Sequence, residues 1–105
     1  MKDHTSIDQR GLALARAIVE KLEAGDLDAG VARARAVNRR WLEMSPSPLH
    51  RAWAEILRRD WPSIKAVLLD ETEDGQTLRQ NSPFCGILTP TERWAIMREY
   101  RQHAA

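Results

Sequence analysis

Residues 11–44 read GLALARAIVEKLEAGDLDAGVARARAVNRRWLEM, and this stretch decides the fold. Leu12, Ala15, Ile18, Val19 and Leu22 recur at three- and four-residue spacing, the period of an α-helix with one apolar stripe. Gln9, Arg16, Glu20 and Glu23 fall on the opposite face. The helix is expected to start after Thr5, with Asp8 at the capping-box distance, and to run to about Ala24, where Gly25 ends it. A second periodic run begins at Leu27 and reaches about Glu43. Two helices joined by only Gly25-Asp26 fold back on each other, so the chain opens with an antiparallel helical hairpin.

Helix signals continue to the end of the chain, and no β alternation interrupts them. Ser45-Pro46-Ser47-Pro48 stops the second helix and starts a third, with Ser47 as N-cap and Pro48 at the first helical position. That third helix, to about Arg59, gathers Leu49, Trp53, Ile56 and Leu57 on one face. Arg51, Glu55, Arg58 and Arg59 lie on the other at ion-pair spacing. Asp60-Trp61-Pro62 repeats the cap-and-proline device and opens a short fourth helix carrying Ile64, Val67 and Leu68. A further short helix is expected from about Glu73 in the polar 70–81 stretch. Thr89-Pro90-Thr91-Glu92 is a capping box with proline at N1, and its helix is expected to reach about Gln102. The fold expected is all-α: one compact bundle of five to six short helices spanning 1–105, with 1–5 and 103–105 as frayed tails.

Composition agrees with a single domain. The 105 residues are 43% hydrophobic and 30% charged, ordinary for a globular domain and unlike a disordered chain. The formal net charge of +1 gives no long-range field for polyanions or membranes. Charge is nevertheless uneven: Asp70, Glu71, Glu73 and Asp74 stand against Arg79 alone within 70–81. One cysteine, Cys85, excludes an intrachain disulfide and fits a reducing cytoplasm. The charged opening residues lack an apolar leader core, so no secretory signal is expected, and no run approaches the ~18 apolar residues of a membrane span.

Motifs for chemistry are absent or fail. An EF-hand register on Asp70–Asn81 puts Thr72 at position three and Asn81 at position twelve, where a bidentate Glu is needed. Gln76, Thr77, Arg79, Gln80 and Asn81 suit base edges, but the acids before them would meet phosphate. Arg35 and Arg39 flank one side of the second helix's apolar stripe, and Arg33 and Arg40 the other, so they form no single basic face. Cys85 with His50 is the one conceivable nucleophile–base pair, and nothing in the sequence places them together; His4 and His103 lie near the chain ends. No phosphate loop and no metal-ligand spacing occurs. No enzyme, metal or cofactor is therefore expected.

Several residues break the pattern. Trp41, Trp53, Trp61 and Trp94 come from four helices and are expected to share one aromatic core, with a ligand-stacking cage as the alternative. Asn38 falls inside an apolar arc with Ala34, Trp41 and Leu42, as a structural amide serving a loop backbone. Arg93 falls among Ile96, Met97 and Tyr100 and is expected either to pair with Asp70 or a neighbour in the acidic stretch, tying the last helix to 70–81, or to anchor an interface. The apolar connection Ser82–Leu88 reads as a core-packing turn, with a partner-facing lip around Phe84 as the alternative. By elimination the function expected is a small protein–protein interaction module of regulatory type, antitoxin-, immunity- or adaptor-like. Its contacts, with a protein partner or a second copy, are expected at Arg79, Phe84, Arg93 and Asn38. Nucleic-acid binding through the arginines of the second and third helices is the runner-up, and a small-molecule sensor with a Trp-lined pocket the third.

Overall fold

Five of the six helices begin where a side-chain oxygen accepts the amide proton three residues on, so the chain's own polar residues set the frame. The structure is a computed structural model that describes the backbone of residues 2–104 and the side chains of residues 9–99. Its helices are α1 (Lys2–Ala24), α2 (Leu27–Met44), α3 (Pro48–Ile56), α4 (Trp61–Leu68), α5 (Glu73–Gln80) and α6 (Pro90–Ala104), with no strand among the described residues. Asp26, Ser47, Asp60 and Thr72 cap α2 to α5 through the amides of Ala29, His50, Ser63 and Gly75. At α6 the capping box closes both ways. The Glu92 amide donates to Thr89 Oγ1 at 3.1 Å, and the Thr89 amide donates to Glu92 Oε1 at 2.8 Å.

The all-α bundle is the architecture expected, with differences at helix ends. Helix α1 begins at Lys2 rather than after Thr5, and α3 ends at Ile56 rather than Arg59, because Leu57–Asp60 turns directly into α4. Helix α6 runs to Ala104 rather than stopping near Gln102. The expected fraying of 1–5 and 103–105 concerns residues whose side chains lie outside those described.

Helix α1 is the spine. Its five stripe residues are all buried, and it packs against α2, α4, α5 and α6. Burying each such aliphatic side chain contributes about 1.5–3 kcal/mol before the entropy of ordering it. The hairpin with α2 is close: a Cβ built on Gly30 would lie 2.1 Å from Leu22 Cδ2. From α1 the core extends through Ile64 and Leu68 of α4 to Trp53, Leu57 and Phe84.

The shared tryptophan core does not form. Trp53 alone is fully buried, edge-on to Phe84 with ring centroids 6.1 Å apart, and its Nε1 donates to the Leu78 carbonyl at 2.9 Å. Trp41 is half-buried against the His50 ring, at 5.4 Å. Trp61 is half-buried and donates to Glu23 Oε2 at 2.9 Å, while Trp94 is 51% exposed. The physical reason is room: the space beside Trp53 is filled by Phe84, which the 82–88 connection inserts. Pro83, Phe84 and Leu88 are buried there and Cys85 is exposed, so the connection is a core-packing turn and its cysteine is not the small buried hydrophobe expected of a lone thiol.

Among the described residues, no helix is long and apolar enough to cross a membrane.

Candidate functional site

Helices α1, α4 and α5, the 82–88 connection and α6 leave a cleft of about 420 Å³ between them. Leu14, Ala15 and Ile18 of α1, with Leu68 of α4 and Trp41 of α2, make an apolar floor. Gln76, Arg79 and Gln80 supply one rim from α5; Ser82, Cys85 and Arg93 supply the other. An apolar floor with a few converging polar groups is the usual make-up of a binding site, and the volume lies within the ~300–1,000 Å³ range of ligand pockets.

The rim is held from below by Arg79. Its Nη1 donates to the Leu68 carbonyl at 3.3 Å and to the Asp70 carbonyl, fastening the last turn of α5 to the end of α4. Arg79 reaches these acceptors by passing over α1 at Gly11, where a Cβ would lie 3.7 Å from its Nε. The Asp70 carboxylate accepts the Thr72 amide at 2.9 Å and stays below its ordinary pKa for that reason, with the Arg79 charge a smaller cause. The expected tie from Arg93 of the last helix to the 70–81 segment does not form; the segment's own Arg79 holds it to the end of α4 instead. Arg93 is exposed at the cleft mouth and makes no ion pair with Asp70; α6 is turned so that Ile96, not Arg93, packs toward the core.

Alanine at these two positions should separate the roles. Arg79→Ala is expected to lose about 1.5–3 kcal/mol in chemical denaturation, the range for a charged hydrogen-bond donor. Arg93→Ala should stay within about 0.5 kcal/mol of wild type, as exposed substitutions do. Gly11→Ala is expected to raise stability by up to about 1 kcal/mol. Its methyl meets only ordinary contact, and alanine is the better helix former.

Of the four residues singled out, Arg79 and Arg93 thus meet at one cleft. Phe84 is fully buried behind it and has no exposed surface of its own to offer. Asn38 lies elsewhere, between α2 and α3. It is 1% exposed and its Nδ2 donates to the His50 carbonyl at 2.9 Å, the structural-amide role; its Oδ1 has no partner among the described residues. His50 turns its Nδ1 to the Ser45 carbonyl and lines a different depression from Cys85. Only Trp41 among the four tryptophans reaches the cleft.

Sequence reasoning missed Gln76 and Gln80 as cleft residues. The signal was present, since 76, 79 and 80 share one helical face, but the stretch was weighed as a base-reading surface rather than as a wall. Among the described residues, no three or more His, Cys, Asp or Glu side chains gather where they could hold a metal ion.

Compared with family models, curated proteins and solved structures, the chain matches none.

Proposed function

We propose that this chain is a small, non-enzymatic protein-interaction module of regulatory type, of the antitoxin, immunity-protein or adaptor kind, working in the cytoplasm. Its cleft receives a partner segment with an apolar side chain next to a carboxylate. One observation carries the reading: Arg93 stands exposed at the mouth of an apolar cavity whose floor is built by α1. The floor takes the apolar anchor, and the Arg93 guanidinium, unencumbered by structural duty, takes the acid. An exposed lone thiol, Cys85, fits a reducing compartment.

The test is capture of partners from native cells on wild-type protein and on Arg93→Glu and Gln80→Glu variants, at low and high salt. A stoichiometric protein that survives high salt and is lost by both variants supports this reading. A protein retained equally by all three puts the contact elsewhere. Nucleic acid released steeply as salt rises would replace the proposal with the nucleic-acid alternative.

A further inference from the structure

Among the described residues, one buried side-chain polar atom has no hydrogen-bond partner, and it is Asn38 Oδ1. The other end of that amide is engaged: Nδ2 donates to the His50 carbonyl at 2.9 Å. Turning the amide over would set oxygen against oxygen, so the unmatched atom is an acceptor. Closed to bulk water, it has lost its bond to solvent without a replacement, which costs stability.

Asn38 also forms part of the wall of a depression of about 220 Å³ between α2 and α3, separate from the cleft. Leu42, one turn further along α2, with Ala54 and Leu57 across from it, makes the surface there almost wholly apolar. Arg35, Arg39 and Arg58 stand exposed around it, and no carboxylate lines it. The depression is formed in advance. Arg35 Nε donates to the Leu57 carbonyl at 2.9 Å, and with the Asn38 bond this ties α2 to α3 at two points.

These features exclude most occupants. An anion would meet the lone pairs of Oδ1 and lose its hydration on an apolar wall. An ammonium could donate to Oδ1, but three arginines and no acid surround the site. A hydrocarbon would cover the apolar wall and leave the acceptor unmatched. What remains is an uncharged body, apolar over most of its surface, with one donor. Indoles and phenols have that make-up: a flat apolar ring system with a single N–H or O–H at its edge. The volume falls below the ~300–1,000 Å³ of sites for larger ligands, which limits the occupant to one such ring system.

We propose that the α2–α3 depression binds one uncharged aromatic ring system of the indole or phenol class, its N–H or O–H donating to Asn38 Oδ1. Leu42, half-buried, swings outward to open the path to that atom. This site is independent of the cleft and does not rest on the interaction reading.

The experiment is a titration of the full chain with indole, N-methylindole and N-acetyltryptophanamide, followed by nuclear magnetic resonance of the backbone amides and the Asn38 side-chain amide. Indole should give saturable shifts at the Asn38 side chain and at the amides of Ala54 and Leu57. N-methylindole keeps the rings and lacks the donor, so it should bind about tenfold more weakly, the worth of one hydrogen bond. Tighter binding of N-acetyltryptophanamide than of indole marks an aromatic side chain of a polypeptide as the source, and the reverse marks a free small molecule. Ala54→Leu fills the depression from its half-buried α3 side and should abolish the shifts while helical circular dichroism is kept. Absence of saturation overturns the proposal, as does equal affinity for indole and N-methylindole, a comparison that needs no variant. Shifts confined to Gln76 and Gln80 would place the ring in the cleft and overturn it too. Undiminished binding by a folded Ala54→Leu protein does the same.

Discussion

Trp53→Ala is expected to cost about 3–5 kcal/mol, the range for emptying a large buried aromatic site. The side chain is fully buried and meets Phe84 edge-on, so its loss strips one face from a second ring that is itself inaccessible to water. The indole Nε1–H donates to the Leu78 carbonyl, which also accepts the Asn81 amide at 3.1 Å, so its removal takes one of two bonds at the end of α5. The lost hydrogen bond adds to the packing loss. A domain of this size holds about 5–15 kcal/mol in total, so the loss removes about a fifth or more of its stability. Urea denaturation followed by circular dichroism measures the effect. Trp53→Phe separates its two parts, because the ring is largely restored and the hydrogen bond is not. A Trp53→Ala loss below about 1.5 kcal/mol would contradict the central place given to this residue.

Gly75→Ala comes second, although it adds only a methyl group. The added Cβ would stand 2.2 Å from the Asp70 carbonyl oxygen, 2.6 Å from Asp70 Cβ and 2.8 Å from the Asp70 carbonyl carbon. Two of these are backbone atoms, so no rotamer change relieves the contact; α5 and the 69–72 link must move apart. Overpacking of this kind typically costs about 1–3 kcal/mol. The same Asp70 oxygen accepts from Arg79, so the shift also loosens the clamp under the cleft rim. Denaturation should show the loss, and partner capture should weaken in parallel. Stability equal to wild type would mean that the α4–α5 link is not held against Gly75. Gly11, in the middle of α1, is the internal contrast, since alanine there is expected to help.

The bundle was legible in the sequence because each helix carries its own start and stripe. Ser47, Asp60 and the Thr89–Glu92 box were readable as caps, and all five stripe residues of α1 are buried. What could not be read was which apolar groups would compete for the same space. Periodicity assigned four tryptophans inward, and only packing decided that Phe84, from a connection rather than a helix, would take the place beside Trp53. Arg79 and Arg93 were both legible as unusual, yet Arg79's role depended on where the end of α5 meets the end of α4, and Arg93's on the rotation of α6 about its axis. That helix has an indistinct apolar face, and none of its described side chains is fully buried.

Glu92 deserves a last consequence, because one carboxylate does two jobs. It closes the capping box of α6 and, through Oε1, takes the Lys21 ammonium of α1 at 2.6 Å. Lys21 and then the Thr89 amide hold its pKa down to about 2, from an ordinary 4.5. An acid with a depressed folded value stabilises above its ordinary value, and that contribution fades as pH falls from about 4.5 through about 2. Protonation there weakens the Thr89 amide's half of the cap and the fastening of α6 to α1 in one event. One carboxylate thus serves both the cap of the last helix and its ionic tie to α1, and acid weakens the two together. Hydrogen exchange should find α6 as the first segment to open, while the core around Trp53 stays closed.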